Sequence, residues 1–313
     1  MQSAFVTGAT GFVGANLVRS LIDDGVAVRA LVRRGADVSS LEGLEIELVE
    51  GDLLDASALR LYMHGCDACF HVAGAYSLPD SADLYRVNVT GTKVVLGAAF
   101  DAGVSAIVHT STVGTLGRPQ DGAPARETDS YLSDRASHYV RSKFQAEETA
   151  LEIAGRGAPV VIVHLAAPVG PWDRVPTVTG RRIVAVLKGR PPGYISGAIN
   201  HVSSRDVARG MILAARSGKP AQRYLLARKG GNLTKSAFVE LVTGVAGIPV
   251  PRLSAWRQAI KWLRRPRRRT ESGVPASLEC DPSWSVCELG LPQTPLEDAF
   301  REAVGWFRRR GMA

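Results

Sequence analysis

The sequence contains few cysteines and no long apolar run. Only four of its 313 residues are cysteine, and they do not suggest a disulfide framework, so we expect a reducing, cytoplasmic location. No stretch approaches the ~20 consecutive apolar residues of a membrane-spanning helix, and the first residues lack the pattern of a secretory signal. The histidines do not show metal-ligand spacing, so no metal site is predicted.

Acidic residues are missing from one short segment, and this segment carries most of the positive charge. Residues 257–269 hold seven basic residues and no acid, whereas the whole chain has a net charge of +8. The excess is one local patch, so no nucleic-acid partner is predicted. Two interpretations stay open: a helix that makes weak contact with an anionic membrane surface, and a core-packed helix followed by a solvated loop, which Pro266 favours.

Strand-like and helix-like patterns alternate along the first half of the chain. Short apolar runs are separated by amphipathic stretches such as 12–24, 82–103 and 137–155. Such alternation predicts an α/β fold with a doubly wound parallel sheet of the Rossmann type. The alternation stops near residue 171. We therefore expect a sheet domain over 1–171 and a smaller, mostly helical substrate-binding lobe over 172–313, with the exchange of elements between them left open.

Glycines are concentrated in one turn, FVTGATGFVG, at residues 5–14. Gly8 permits the tight turn, Gly11 lets a pyrophosphate approach the backbone, and Gly14 lets helix and strand pack closely. The amides and the dipole of the following helix favour phosphate groups. The turn therefore predicts that the 1–171 domain binds a dinucleotide. The contacts expected from this turn are Thr7, Gly8, Thr10, Gly11, Phe12, Val13 and Gly14.

A tyrosine and a lysine stand four residues apart in the segment YVRSK. On a helix, Tyr139 and Lys143 lie on one face, about 5–6 Å apart at Cβ. A phenol titrates at about pH 10, and a neighbouring ammonium favours its phenolate form. We therefore expect Lys143, with the positive ring of an oxidised nicotinamide, to lower the pKa of Tyr139 so that it exchanges protons near neutral pH.

These segments together resemble the extended short-chain dehydrogenase/reductase superfamily. The motifs that carry the resemblance are the G-x-x-G-x-x-G turn, EGDLLD, HVAG, NVTGT and Y-x-x-x-K, and most of the chain is similar to the dihydroflavonol-reductase-like and hopanoid-associated sugar epimerase branch. The resemblance implies a catalytic hydroxyl at Thr112, with Ser111 as the alternative, beside Tyr139 and Lys143, which also contact the cofactor. The further cofactor contacts that it implies are Asp52, Leu53, Val72, Ala73, Gly74, Thr110, Pro168 and Val169.

The choice of cofactor depends on the end of the second strand. An acid at this point usually binds the ribose 2′-hydroxyl of NAD. Here LVRRG places Arg33 19 residues after Gly14, followed by Arg34. Arginine suits a 2′-phosphate through charge-assisted hydrogen bonds. The sequence therefore favours NADP over NAD as the cofactor, with two solvated surface arginines as the alternative interpretation.

The resemblance implies NADPH-linked reduction of a ketone or aldehyde to an alcohol. Tyr139 would act as the acid, Lys143 would support its proton transfer, and Thr112 would hold the substrate oxygen. The alternative is a sugar epimerase or dehydratase that retains its cofactor. Nucleotide-sugar 4-epimerases commonly carry asparagine where this chain has Ala167, which disfavours a sugar-nucleotide substrate. A non-catalytic dinucleotide sensor is a third hypothesis, which the Tyr/Lys pair disfavours because such sensors usually lack it.

The substrate is expected to be a small molecule held partly by the second lobe. The residues expected to contact it are Tyr76, Thr112, Trp172 and Tyr194. Members of the superfamily often dimerise through two long helices, which here correspond to 82–101 and 137–154. The resemblance therefore implies a homodimer.

Overall fold

The computed structural model describes residues 1–76, 78–117, 122–130, 136–250 and 277–313. The basic segment 257–269 lies outside the described residues. The strands are β1 (Ser3–Thr7), β2 (Ala27–Val32), β3 (Glu47–Glu50), β4 (Ala68–His71), β5 (Ala106–Thr112), β6 (Val160–Leu165), β7 (Ala167–Val169), β8 (Ile199–Ser203), β9 (Arg223–Leu226) and β10 (Asn232–Leu233). The helices are α1 (Phe12–Asp23), α2 (Ala56–Met63), α3 (Ser81–Tyr85), α4 (Gly91–Asp101), α5 (His138–Gly155), α6 (Val178–Leu187), α7 (Ser204–Ser217), α8 (Lys235–Ala246), α9 (Ser283–Leu289) and α10 (Leu296–Arg309).

The larger sheet has seven parallel strands in the order β3-β2-β1-β4-β5-β6-β9. The strand order reverses between β1 and β4, and in open α/β sheets the crevice outside the carboxyl ends at this point binds ligands. The α/β fold with a doubly wound parallel sheet is therefore confirmed. The glycine turn between β1 and α1 lies at this switch point.

Helices cover both faces of the sheet because its strands alternate apolar side chains between two cores. Val6 of β1 packs in one cluster with residues of α1 and α7. Its neighbour Phe5 packs in the other cluster with residues of α2, α4 and α5. Strand β6 is buried along its whole length, as expected for a central parallel strand. Two buried faces hold the carboxyl ends of the strands in fixed positions.

The second lobe is built on a three-stranded sheet of order β10-β8-β7, with α6, α8 and α10 packed around a third apolar cluster that includes Phe238 and Phe300. The chain returns from this lobe to the larger sheet, where β9 pairs with β6 and α7 packs beside α1. Elements after residue 171 thus contribute to the sheet domain, which is the exchange that the sequence left open. Among the described residues, no helix is both long and apolar enough to cross a bilayer.

Candidate active site

The glycine turn has two glycines whose replacement would clash severely with the backbone and one, Gly11, where a Cβ would meet a single atom. Gly8 has a φ of +72°, and a Cβ there would approach the amide nitrogen of Ala73 to 2.6 Å. A Cβ at Gly14 would lie 2.1 Å from the carbonyl oxygen of Gly8. At Gly11 the nearest atom would be that same oxygen at 3.3 Å. Gly8 and Gly14 therefore allow the backbone to pack, and Gly11 leaves room on the outer side.

Helix α1 begins at this turn without a side-chain cap. Its N-cap is Gly11, which offers no side-chain acceptor, and its first turn contains no acidic residue. The first amides of a helix need acceptors from outside it, and phosphate oxygens supply them together with a favourable dipole interaction. The residues at this turn therefore fit the diphosphate of a dinucleotide.

Thr7 connects this turn to the end of β4 through a hydrogen-bonded chain. Its hydroxyl oxygen accepts from the amide of Ala73 at 3.2 Å and contacts Nδ1 of His71 at 2.8 Å. Nε2 of His71 contacts Thr92, whose hydroxyl already donates to the carbonyl of Asn88. His71 therefore donates from Nε2 and accepts at Nδ1. Burial, with Lys143 adding to it, lowers the pKa of His71 to about 3, so the ring is neutral.

Thr112 and Tyr139 form the centre of the site. Thr112 ends β5, and its Oγ1 accepts from the amide of Gly114 at 3.3 Å. The Thr112 hydroxyl interacts with the Tyr139 phenol on α5 and opposes the rise in the pKa of that phenol. Lys143 lies one turn further along α5, and its Nζ donates to the carbonyl oxygen of Thr110 at 2.6 Å.

The pKa values of this pair differ from the sequence expectation. Burial, with Tyr76 adding to it and Thr112 opposing it, raises the pKa of Tyr139 to about 12. Burial lowers the pKa of Lys143 to about 8, although Glu147 opposes the shift. The expected lowering of the phenol pKa included the positive ring of a bound nicotinamide, and it stays a prediction for the protein with its cofactor. The main cause of the raised phenol pKa is burial, and the Lys143 ammonium is directed at the backbone carbonyl of Thr110.

The two candidate hydroxyls at the end of β5 point to opposite faces. Ser111 is buried and donates to Oε2 of Glu147 at 2.8 Å, and Thr115 donates to the same oxygen at 3.0 Å. Successive side chains of a strand alternate between faces, so Thr112 points to Tyr139 while Ser111 points away from it. The geometry thus favours Thr112 over Ser111 as the hydroxyl of the site.

Glu147 is a buried residue that the sequence reasoning missed. Besides the two hydroxyls, it accepts from Nε2 of His164 at 2.8 Å, and Oε1 lies 2.8 Å from Nε of Arg223 on β9. Burial acts to raise the pKa of Glu147, but His164, Arg223 and Ser111 together outweigh it and lower this pKa to about 2. The signal in the sequence was its spacing of four residues after Lys143 on the same helix face.

Asn88 also lies outside the set of predicted site residues. It belongs to the π-helical stretch Arg86–Thr90 between α3 and α4. Its Oδ1 accepts from the amide of Ala75 at 2.8 Å, and its Nδ2 donates to the carbonyl of Ala75 and to the hydroxyl of Ser142. The Ser142 hydroxyl in turn donates to the carbonyl of Tyr139. Asn88 therefore fixes the loop after β4 against the helix that carries Tyr139.

The remaining predicted cofactor contacts lie at the carboxyl ends of the strands or just beyond. Arg33 is exposed directly after β2. Asp52 follows β3 and is exposed, with Oδ1 accepting from the amide of Leu54. Leu53 packs in the core beneath α4. The other residues of this set are Thr10, Phe12, Val13, Val72, Gly74, Thr110, Pro168 and Val169, of which the last two form β7 with Ala167.

The predicted substrate contacts are only partly brought together. The ring of Tyr76 lies 4.8 Å from the ring of Tyr139, between centroids, and Tyr76 is 58% exposed. The ring of Trp172 contacts two other side chains. The Cζ of Arg19 lies 3.3 Å from the centroid of this ring, and the centroid of the Trp306 ring lies 4.7 Å from it. Its backbone has a φ of +74°, which directs the side chain into this stack. Tyr76 thus stands beside the site, and Trp172 packs against α1 and α10.

Comparison with known proteins gives a consistent family. Residues 4–227 match the NAD dependent epimerase/dehydratase family. A Synechocystis sp. protein named “Putative dihydroflavonol 4-reductase” is 39% identical, with 98% of this chain and 95% of that protein covered. Sterol demethylase protein B from Methylococcus capsulatus is 37% identical, with 99% and 100% covered.

A solved structure extends the similarity to the whole fold. The crystal structure of gox2253 superposes with a TM-score of 0.88 at 33% identity, with 100% of this chain and 99% of that chain covered. The family match spans the glycine turn, Thr112, Tyr139 and Lys143. The chain therefore belongs to the NAD dependent epimerase/dehydratase family of enzymes, as its sequence resemblance to the extended short-chain dehydrogenases/reductases implied.

Proposed function

We propose that this chain reduces a ketone or aldehyde to an alcohol with NADPH, and catalyses the reverse oxidation with NADP. The observation that carries the proposal is the arrangement of three residues at the edge of the sheet where the glycine turn lies. Thr112 ends β5, while Tyr139 and Lys143 lie on α5, which the Lys143 hydrogen bond to the carbonyl of Thr110 holds against that strand. A bound nicotinamide supplies or accepts the hydride. The protein supplies a proton donor, a positive charge and a fixed orientation.

Tyr139 is the general acid in the direction of reduction. With a pKa of about 12, its phenol keeps its proton at neutral pH and donates it to the substrate oxygen as that oxygen gains negative charge. Thr112 donates a hydrogen bond in the same place and orients that oxygen. The charged Lys143 stabilises the phenolate left behind. In the oxidative direction the phenolate takes the proton back from the alcohol.

Arg33 supports the preference for NADP. It is exposed at the end of β2, where its guanidinium is available to a 2′-phosphate. The next residue, Arg34, lies 3.8 Å from Glu50 and is also exposed. One or both guanidinium groups can form charge-assisted hydrogen bonds with an anionic 2′-phosphate. A free 2′-hydroxyl would find no acidic partner at the end of β2, where NAD-binding sites usually provide one. The cofactor proposed for this chain is therefore NADP.

The second candidate function is that of an epimerase or dehydratase, which the family description favours. Such an enzyme oxidises and re-reduces its substrate with a cofactor that stays bound. Thr112, Tyr139 and Lys143 would serve that cycle too. A reductase and an epimerase therefore differ in whether the cofactor is released after the reaction. We propose the reductase because Ala167 stands where the nucleotide-sugar 4-epimerases commonly present an asparagine.

The partners of the chain are also a matter of proposal. We propose a homodimer through residues 82–101, which comprise most of α3, the π-helical stretch and α4, and through residues 137–154 of α5 and its N-cap. Sedimentation velocity at micromolar concentration tests this, because a monomer of 33.4 kDa is readily distinguished from a dimer. No nucleic-acid partner is proposed. Weak membrane contact through 257–269 stays a proposal that liposome co-sedimentation tests.

The test of the proposed function is a cofactor balance. Purified protein is incubated with NADPH and a panel of ketones and aldehydes, and absorbance at the dihydronicotinamide band is compared with the alcohol formed. Stoichiometric loss of NADPH is the expected result. Conversion of a substrate without net loss, by protein that is purified with its dinucleotide bound, would support the epimerase or dehydratase instead.

A further inference from the structure

The second lobe carries a half-buried arginine, Arg182 of α6, whose surroundings can be followed from the candidate site. The path runs through paired strands: Thr112 pairs with Leu165 in the register of β5 and β6, and β7 follows β6 after one residue. Ala167 of β7 pairs with His201 of β8. The His201 ring stacks on Tyr194, with centroids 6.5 Å apart and planes inclined by 22°. These strand pairs and the final ring contact lead from Thr112 of the site to Tyr194.

Arg182 of α6 lies over Tyr194. Its Cζ is 4.9 Å from the ring centroid, which is the geometry of a cation–π contact. Its Nε donates to the carbonyl of Gly193 at 2.8 Å, and the Tyr194 hydroxyl donates to the carbonyl of Leu233 at 2.8 Å. Both partners are held by backbone acceptors, so the plane of the guanidinium is fixed. Its two terminal nitrogens are directed away from the Nε contact.

The charge of Arg182 lacks an acidic partner in the described part of the chain. The arginines that form ion pairs among the described residues are other ones, and the neighbour of Arg182 in the sequence, Arg181, is also positively charged. Burial lowers the pKa of Arg182, while the phenols of Tyr194 and Tyr76 oppose that shift. A half-buried charge without a counter-ion is destabilising. Such a group is expected where a ligand supplies the missing anion.

Tyr76 joins Arg182 to the reacting centre. It is within electrostatic reach of the Arg182 guanidinium, and its ring is in contact with the ring of Tyr139. Two phenol rings thus link the charge to the reacting centre, since Tyr194 lies under the Arg182 guanidinium and Tyr76 lies against Tyr139. Arg181 bonds the carbonyl of Pro176 through Nη1 and is exposed, so it does not add a second charge to this border.

We propose that Arg182 binds a carboxylate of the substrate, so that the enzyme acts on oxo acids and hydroxy acids whose apolar body lies against Tyr76 and Tyr194. This inference rests on the proposed function, since the carbonyl end of the same molecule must reach Tyr139. A planar guanidinium binds a carboxylate through two parallel hydrogen bonds. One guanidinium matches one carboxylate in charge and leaves a diphosphate only partly neutralised.

The experiment compares acids with their amides on the loaded enzyme. The full-length protein is saturated with NADP, and calorimetry measures the affinity for 4-acetylbenzoate and for 5-oxohexanoate, each against its own carboxamide. The acid and the amide have the same shape and differ in charge. We expect the better acid to bind about 10-fold or more tightly than its amide, because charge-assisted hydrogen bonds are lost with the amide.

Two variants locate the preference. Arg182→Met, which keeps an apolar stem, is expected to bind acid and amide alike, and Arg182→Lys is expected to keep part of the preference. Arg181→Met is the matched control, expected to keep all of it. The NADP affinity of each variant shows that the sheet domain is folded.

Three results would overturn the inference: amides that bind wild-type protein as well as the acids do, acids that do not bind it, or a preference that survives in Arg182→Met. Each of these leaves the proposed function standing if NADP binds and a carbonyl compound is reduced. Absence of NADP binding in the wild-type protein is a different result, and it would count against the proposed function itself.

Discussion

The ammonium of Lys143 donates a 2.6 Å hydrogen bond to the backbone carbonyl of Thr110, two residues before the hydroxyl that contacts Tyr139. This bond fixes the lysine of α5 on the strand that carries Thr112. It holds a buried positive charge against the sheet, on the helix turn that follows Tyr139. The proposed mechanism uses this charge to stabilise the phenolate.

The pH dependence of catalysis follows from this buried charge. Burial lowers the pKa of Lys143 to about 8, so the ammonium is present below that pH and is lost as the pH rises through it. The Tyr139 phenol, with a pKa of about 12, remains protonated across the same range. We expect kcat/KM for carbonyl reduction to fall above about pH 8. A profile that stays flat to pH 10 would show that Lys143 does not act through its charge.

Within the glycine turn, we expect Gly14 to be required for folding and Gly11 to be required for binding the dinucleotide. Gly11→Ala is expected to leave the urea midpoint near that of the wild type, since its Cβ meets only one atom at 3.3 Å, and to weaken NADPH binding. Gly14→Ala is expected to weaken NADPH binding and, in addition, to lower the urea midpoint, because its Cβ would lie 2.1 Å from a backbone oxygen. Equal loss of stability in both variants would contradict the assignment of Gly11 to the ligand.

Arg33 is expected to select the phosphorylated cofactor. Arg33→Ser should raise the Kd for NADPH by about 10-fold and leave the Kd for NADH nearly unchanged, since a charge-assisted hydrogen bond contributes about 1.5–3 kcal/mol. Fluorescence titration with the two dinucleotides measures this directly. Arg60→Ser, at an exposed position of α2, is the control. A variant that loses affinity for both dinucleotides equally would contradict the role.

Glu147 is expected to be a stability residue beneath the site. Glu147→Leu leaves Arg223 and His164 without their carboxylate, and breaking such a buried pair costs about 3–5 kcal/mol of unfolding free energy. Glu148→Gln, on the exposed side of the same helix, is the control with little expected effect. Urea denaturation measures both. Loss of activity in Glu147→Leu without loss of stability would indicate a direct role in the chemistry.

The same residue makes stability depend on acid pH. The pKa of Glu147 is depressed to about 2 in the folded state, whereas an unfolded glutamate has a pKa of about 4.3. The stabilisation is therefore complete above the unfolded value and is lost as the pH falls toward 2. The stability gap between wild type and Glu147→Gln should shrink across that window. A gap that is independent of pH would contradict this assignment.

The sequence was most informative where a local pattern determines the contact. The glycine spacing predicted the turn, and its three positions differ: a Cβ would clash at Gly8 and Gly14, whereas at Gly11 it would meet one atom at 3.3 Å. The four-residue spacing of Tyr139 and Lys143 predicted a shared helix face, and both lie on α5. Strand alternation distinguishes Thr112 from Ser111, but only the structure shows which face of β5 meets Tyr139.

Contacts between distant segments were not predictable from these patterns. Glu147 meets Arg223 because β9 returns to the large sheet, and the four residues of β9 show no strand pattern that would indicate this. Trp172 was expected near the substrate, but its ring lies with Arg19 and Trp306, which are far from it in the sequence. The raised pKa of Tyr139 likewise comes mainly from burial, to which Tyr76 adds, and residue spacing does not show either.

The central claim is that Tyr139 donates a proton beside a bound nicotinamide, and Tyr139→Phe tests it most directly when affinity and turnover are measured on the same preparation. NADPH should bind both proteins with about the same Kd, while the variant should lose turnover by about 100-fold or more, since a positioned acid contributes about 10²–10⁴-fold. Failure of the wild-type protein to bind the dinucleotide, or unchanged turnover in the variant, would contradict the account.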